Sequence, residues 1–169
     1  SSRRRTFSPA SSDVLIGRVV SHPALVQRLA DTFGVDRITL FVASAPGSSE
    51  GFAAHRALGA RLETIPVLKR FSGIGTRLES GQVVSLDDPF TVRRFSADEV
   101  CFWRDLGLHY FVPCLAKDGP IAVIGLGSRP SGEPLSTEDL TLLNAVAAQV
   151  ATAIENGRLY QELREKADE

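Results

Sequence analysis

The sequence predicts a single α+β domain built on a mostly antiparallel sheet. Its 169 residues are enough for one hydrophobic core and too few for two. Along the chain, the expected elements are a helix, two strands, a helix, a strand, a helix, a hairpin and a long helix. This order predicts a central antiparallel sheet with the N-terminal and C-terminal helices packed together on one of its faces.

The first part of the chain predicts a helix followed by two strands. Apolar residues repeat at helical spacing over 13–33. Pro23 should break this helix and Gly34 should end it, with Ser21 as the N-cap of its second half. The alternating stretch "DRITLFVAS" then predicts a strand, and "GFAAHRALGA" predicts a second, weaker one.

The middle of the chain predicts two helices separated by a short strand. Residues 65–80 are expected to contain a helix, and "GQVVSLDDP" is expected to be a strand that ends in a turn. In "FSADEVCFWRDLG", Ser96 and Glu99 have the spacing of a capping box, and Gly107 should end the helix that they begin.

The last part of the chain predicts a hairpin and a long terminal helix. The apolar runs "HYFVPCLA" and "IAVIGLG" flank "KDGP", and an Asp-Gly pair supplies the positive φ angles of a tight reversal. A glycine-rich loop then leads to Ser136, which should cap the terminal helix with Asp139 in its first turn.

The terminal helix is apolar on two sides, so it needs two partners. One face steps by three and four residues, as a heptad seam does, and the charged end of the helix looks like a coiled coil. We expect this row to serve dimerisation and signalling: Leu140, Leu143, Ala147, Val150, Ile154, Leu159 and Leu163. The second face carries Leu142, Val146, Ala153 and Leu159. Burial of both faces within one monomer is the alternative.

The composition excludes several classes of function. With a net charge of −1, nothing favours nucleic acid binding, and no stretch reaches the length of a membrane span or a signal peptide. The two cysteines fit a reducing compartment, so we expect a cytoplasmic location. The three histidines show no metal-ligand spacing, and we expect no metal.

The second half of the sequence carries recognisable motifs. Val112-Pro113-Cys114 and Ile124-Gly125-Leu126 lie on consecutive strands, followed by "STEDLTLL" and "AAQVATAIENGRLY". In these motifs the chain resembles the GAF domain, the small-molecule-binding module of bacterial signalling proteins. The resemblance is close over 110–165 and looser over 12–109.

This resemblance implies a domain organisation and a function. We expect a disordered tail over 1–11, a GAF-like domain over 12–160, and the start of a helical linker to an output domain over 161–169. The implied function is non-catalytic small-molecule sensing and homodimerisation in a larger signal-transduction protein such as a sensor histidine kinase. The alternatives are a ligand-free dimerisation spacer and, less favoured, a thiol-based reductase of free methionine sulfoxide.

The resemblance also implies where a ligand would bind. In a GAF-like fold the aromatic segment around residues 90–111 walls the pocket, so the candidate ligand residues are Phe90, Arg93, Arg94, Phe95, Trp103, His109 and Tyr110. The plainer interpretation makes the aromatics core residues and the arginines solvated. The Asn-Lys pair of cyclic-nucleotide-binding members is missing before Phe95, which argues against that ligand. Cys101 and Cys114 have no evident activator, and no cofactor is expected beyond an unidentified small ligand.

Overall fold

The computed structural model describes residues 24–43 and 50–168, with side chains described as far as Gly157. The predicted α+β class is confirmed, because a six-stranded antiparallel sheet lies between two layers of helices. The strand order is β3-β2-β1-β6-β5-β4. The strands are β1 (Ile38–Ala43), β2 (Gly51–Leu58), β3 (Leu68–Lys69), β4 (Val84–Ser85), β5 (Tyr110–Ala116) and β6 (Gly119–Leu126).

Five helices and a short 3-10 turn at Leu62–Thr64 complete the described part of the chain. They are α1 (Ala24–Phe33), α2 (Gly73–Glu79), α3 (Pro89–Val92), α4 (Ala97–Asp105) and α5 (Thr137–Asp168). The predicted stop of the first helix is confirmed at Gly34, which has φ +69°. The predicted start of that helix and the cap at Ser21 lie outside the described residues.

The prediction of a helix over 65–80 was correct only for its last part. Leu68–Lys69 form β3, and Arg70 and Phe71 form a turn. The helix begins only after Ser72, whose hydroxyl accepts a hydrogen bond from the Gly75 amide at 3.0 Å. Gly75 packs so closely on β3 that a Cβ there would overlap the Lys69 carbonyl oxygen. Gly75 therefore lets α2 pack closely against β3.

The sheet separates two hydrophobic layers. On one face, α1 and α5 pack in a single core cluster, as predicted for the first and last helices. On the other face, α2 and α4 cover a second cluster that contains Trp103. Neighbouring strand residues point to opposite faces, so Val112 of β5 belongs to the first cluster and Phe111 to the second.

Local signals define α4, the hairpin and the start of α5. Ser96 accepts a hydrogen bond from the Glu99 amide at 3.1 Å, as the capping-box spacing predicts. The Glu99 carboxylate, however, accepts from the Ile74 amide at 3.2 Å and so ties α4 to α2. The predicted hairpin is β5–β6, where Gly119 has φ +120°.

Arg129 joins the two helices of the first layer. Its Nε donates to the Phe33 carbonyl at the end of α1 at 3.0 Å, and its Nη2 lies 2.8 Å from Asp139 Oδ2 in α5. Asp139 also accepts from the Ser136 amide and hydroxyl, both at 2.9 Å, while the Ser136 hydroxyl accepts from the Asp139 amide at 3.1 Å. The predicted cap of α5 is therefore a reciprocal one.

No helix among the described residues is long and apolar enough to cross a membrane.

Asp139→Asn should destabilise the domain at neutral pH and much less in acid. Hydrogen bonds from Ser136 and then the charge of Arg129 lower the pKa of Asp139, so its contribution to stability is present above the unfolded pKa and is lost as pH falls through the folded one. We expect Tm at pH 7 to fall by about 2–4 °C, as for the loss of a helix cap. The difference from wild type should shrink as pH falls below about 4, as followed by circular dichroism.

Asp118→Asn, in the exposed β5–β6 turn, is the matched control and should leave Tm nearly unchanged. A Tm difference for Asp139→Asn that stayed constant from pH 7 to pH 2 would show that the ionised carboxylate does not stabilise the cap.

Candidate functional site

The second layer centres on an aromatic cluster. Trp103 projects from α4 and packs edge-on against Phe41 of β1 and Phe111 of β5, with ring centroids 6.0 and 5.5 Å apart. Its neighbour Phe102 lies 5.2 Å away, also edge-on. Trp103 is 5% exposed whereas Phe102 is 48% exposed, so α4 buries one aromatic ring and presents the other to solvent.

Two adjoining grooves run along β3 at the edge of this layer. The small groove has a volume of about 300 Å³ and is lined by Pro66, Val67, Lys69, Ser72, Phe102 and Trp103. The large groove has a volume of about 570 Å³ and is lined by Glu50, Gly51, Ala53, Val67, Lys69, Arg70, Phe71 and Ser72. Val67, Lys69 and Ser72 line both, so the two grooves form one continuous surface. Volumes of this size accommodate small molecules.

The alternation of a strand creates this surface. Val67, Lys69 and Phe71 are exposed, whereas the residues between them, Leu68 and Arg70, are buried. Phe71 is 77% exposed, which is unusual for a phenylalanine and places an apolar ring at the rim of the large groove. The alternating exposure of residues 67–71, in and beside β3, thus places one row of side chains at the two grooves.

Glycine and a buried arginine hold β3 in place. Gly51 has φ +119°, and a Cβ there would overlap the Leu68 carbonyl oxygen, so only glycine permits this close pairing of β2 with β3. Arg70 packs over the ring of Phe52 at 5.6 Å, and its Nε lies 2.9 Å from the Glu79 carboxylate in α2. Arg70, which directly follows β3 and lines the large groove, therefore links β2 to α2.

The charges of the two grooves differ. Among the residues that the structure describes, Lys69 is the only charged one that lines the small groove, whereas the large groove also contains Glu50 and Arg70. Within the described part of the chain, Lys69 forms no ion pair. Its side chain is exposed, so the ammonium group remains available to an anion.

Of the seven predicted ligand residues, Trp103 lines a groove and Phe95 packs half-buried against the same layer. Three others lie on the surface: Phe90 is 74% exposed, Arg93 stacks over its ring at 5.5 Å, and Arg94 is exposed.

The remaining two predicted ligand residues, His109 and Tyr110, lie elsewhere. His109 Nδ1 is 2.8 Å from Asp87 Oδ1, and Arg104 also approaches that carboxylate. Tyr110 is buried on the opposite face of the sheet from Trp103, where its hydroxyl accepts a hydrogen bond from the Leu135 amide at 3.2 Å. The structure therefore does not bring the seven residues together at one site.

The predicted seam of α5 mostly faces the chain's own sheet. Leu143, Ala147 and Val150 are buried there, and Leu140 and Ile154 are partly buried against the same cluster. The side chains of Leu159 and Leu163 lie outside the described part. The outward face offers Leu142, which is 48% exposed, and a shallow groove of about 320 Å³ lined by Ala148, Gln149, Thr152 and Ala153.

The two cysteines and the possible metal ligands were considered as groups that could carry out chemistry in the described part of the chain. Burial raises the pKa of the Cys114 thiol well above its usual range, which disfavours the nucleophilic thiolate. Cys101 is exposed and free. Among the residues that the structure describes, no group of His, Cys, Asp and Glu is arranged to hold a metal ion.

Sequence reasoning missed Val67, Lys69, Phe71 and Phe102. The first three fell inside a segment interpreted as a helix, and Phe102 was treated as one aromatic of a core cluster. The alternation in "VLKRF" at 67–71, directly after a proline, was the available signal for an extended segment.

Family comparison agrees with the fold. The GAF domain family model matches residues 23–154, and the chain therefore belongs to the GAF domain family. GAF domains are sensory and regulatory modules of signalling proteins and are generally not catalytic. No curated protein sequence matches the chain.

Solved structures share the fold at low identity. The GAF domain of a phosphoenolpyruvate-protein phosphotransferase from Coxiella burnetii is 16% identical, with a TM-score of 0.64 and coverage of 92% of this chain and 99% of that one. The GAF domain of a two-component sensor histidine kinase from Bacillus halodurans is 21% identical, with a TM-score of 0.58 and coverage of 84% and 99%.

A type II free methionine-R-sulfoxide reductase from Thermoplasma acidophilum is 17% identical, with a TM-score of 0.58 and coverage of 82% of this chain and 94% of that one. At these identities the similarity concerns the fold alone.

The two thiols should differ sharply in reactivity. In the native protein we expect Ellman's reagent to modify Cys101 rapidly and Cys114 only after denaturation, because Cys114 is buried with a raised pKa. The change in absorbance should match one thiol per chain before denaturation and two afterwards. Cys101→Ser should abolish the native reaction, and rapid native labelling in that variant would contradict the burial of Cys114.

Proposed function

We propose that this domain senses a small molecule at the β3 grooves and transmits the bound state through α5 to the rest of a signalling protein. One observation carries the proposal: the aromatic layer beside the grooves and the helix layer share the same strands. Phe111 contacts Trp103 from one face of β5, and its neighbours Tyr110 and Val112 belong to the cluster that contains α5. A shift of the aromatic layer would therefore act on α5 through a single strand.

The size of the response is limited by the ligand. A ligand can favour one packing of α5 only by its differential affinity for the two packings, so it must touch an element that moves with them. The small groove meets this requirement, because Trp103 and Phe102 both belong to α4, and α4 rests on the central strands.

We further propose that α5 pairs with its counterpart in a second subunit. The support is the outward side of α5, where Leu142 is 48% exposed and a shallow groove is lined by Ala148, Gln149, Thr152 and Ala153. We call this side the outward strip. The buried row of Leu143, Ala147 and Val150 would then hold α5 on its own sheet, while the outward strip would meet the partner.

The parent protein is proposed to belong to bacterial signal transduction, with a sensor histidine kinase as the leading candidate. This rests on the similarity to the Bacillus halodurans kinase domain. Autophosphorylation of the parent from ATP would test it.

A ligand-free dimerisation spacer is the second candidate. The specific observation in its favour is that Phe41, Trp103 and Phe111 pack against one another in the second layer, where an enclosed ligand would have to lie. The thiol reductase is less favoured because Cys114 is buried and its pKa is raised.

A thermal shift screen separates the sensor from the spacer. We expect at least one member of a panel of amino acids, nucleotides and small carboxylic acids to raise Tm, because a ligand at ten times its Kd adds about 1.4 kcal/mol, or roughly 3–6 °C. The same compound should slow amide hydrogen exchange in the segment 137–157 of α5. The sensing role would be contradicted if no compound of the panel raised Tm, or if a compound that raised Tm left amide hydrogen exchange in α5 unchanged.

The dimer has its own test. Leu142→Glu should convert the protein to a monomer in size-exclusion chromatography with light scattering, because it introduces a charge into the outward strip. Leu115→Glu is the matched control, since Leu115 is 47% exposed against 48% for Leu142 and lies on β5. A wild-type protein that is monomeric at high concentration would contradict the proposed pairing.

A further inference from the structure

The lining of the small groove is mostly aromatic and apolar. Phe102 and Trp103 supply aromatic surface, and Pro66 and Val67 supply apolar surface. The hydroxyl of Ser72 is already engaged, since it donates to the Lys69 carbonyl at 2.8 Å and accepts from the Gly75 amide at 3.0 Å. Lys69 is thus the main polar group that the groove offers to a ligand.

The position of Lys69 makes its charge available. It lies on the exposed row of β3 between Val67 and Phe71, and it lines both grooves. The acidic residue Glu50 lines the large groove but not the small one. A negative group in the small groove would therefore meet a cation without a competing carboxylate in the lining.

The exposed aromatic side chain is the second observation. Phe102 is 48% exposed beside a tryptophan that is 5% exposed, and its ring stands edge-on to that tryptophan with centroids 5.2 Å apart. A third ring placed beside them would bury apolar surface mainly against Phe102 and would contact the small exposed part of Trp103. A planar aromatic group fits this place better than a flexible polar chain.

We propose that the small groove binds a small aromatic carboxylate, with its ring against Phe102 and Trp103 and its carboxylate on Lys69. This assignment rests on the proposed sensing function and names the chemical class of its ligand. The volume of about 300 Å³ suits one or two rings with an acidic side chain.

Other ligand classes fit the groove less well. A cationic ligand would be repelled by Lys69, and a zwitterionic amino acid would leave its ammonium group without a carboxylate in the small groove. A nucleotide carries a phosphate for which a guanidinium fork is the better partner, and Arg70 of the large groove is already paired with Glu79.

Trp103 reports directly on this groove because it is the only tryptophan of the chain. The experiment titrates phenylacetate into the protein and follows tryptophan fluorescence, with phenylacetamide as the neutral compound of the same shape. We expect phenylacetate to bind with a Kd of about 1 mM, as a ligand of this size can. The amide should bind about fivefold more weakly, because it lacks the ion pair.

Two substitutions identify the cation. Lys69→Gln should weaken phenylacetate binding about fivefold and make the acid and the amide equivalent, whereas Lys69→Arg should preserve the preference for the acid. Lys117→Gln, in the exposed β5–β6 turn, removes the same charge away from the groove and should change nothing. Because Lys69 and Lys117 are both exposed, none of these variants should perturb folding, which circular dichroism verifies.

The proposal is overturned if phenylacetate up to about 20 mM leaves the fluorescence unchanged, if acid and amide bind equally to wild type, or if Lys117→Gln weakens binding as much as Lys69→Gln. Hydrogen exchange in α5 separates this proposal from the sensing function. Binding of phenylacetate as described with unchanged exchange in α5 would remove the sensing function and leave the site. If a panel compound changes hydrogen exchange in α5 while phenylacetate fails to bind, the sensing function would stand and the aromatic carboxylate site would be rejected.

Discussion

The domain depends on strands that are buried on both faces. Every residue of β6 from Pro120 to Leu126 is buried, and β1 and β5 on either side of it are nearly so. Because an apolar strand exposed to water would cost several kcal/mol per pair of large side chains, helices must cover both faces of the sheet. The helices α1 and α5 cover one face, and α2 and α4 cover the other, so the sheet lies between two hydrophobic layers.

Elements with strong local signals could be predicted from the sequence, and elements created by tertiary contacts could not. Ser96, Ser136 and the Asp118-Gly119 turn act on neighbouring residues, so α4, α5 and the hairpin appeared as expected. By contrast, β3 pairs over two residues only and exists because Gly51 lets it approach β2. The sequence of 65–80 does not indicate that this segment pairs with a strand beginning at Gly51, so the segment was predicted to contain a helix.

The site was predictable only in part, for a geometric reason. Trp103 was predicted because the family resemblance places the aromatic segment around 90–111 at the pocket, and its spacing from Val100 puts both on the inner face of α4. Tyr110 and Phe111 are adjacent in sequence, but adjacent strand residues point to opposite faces, so a cluster of aromatics in the sequence becomes two clusters in space. The groove residues in and beside β3 were missed because they are exposed at every second position of 67–71. A segment interpreted as a helix is not expected to show this alternation.

The attachment of α5 restricts how the helix could carry a signal. Its N-terminal end is held by Arg129, which bridges Asp139 to the end of α1, and the preceding loop is held by the bond from the Leu135 amide to Tyr110. These anchors fix the first turn of α5 to the sheet. A shift of the aromatic layer would therefore displace α5 least at its N-terminal end. In the proposed sensing role α5 would therefore tilt about its anchored N-terminus, with the displacement growing toward its C-terminal end. The residues beyond Ile154 would then carry the largest part of the motion.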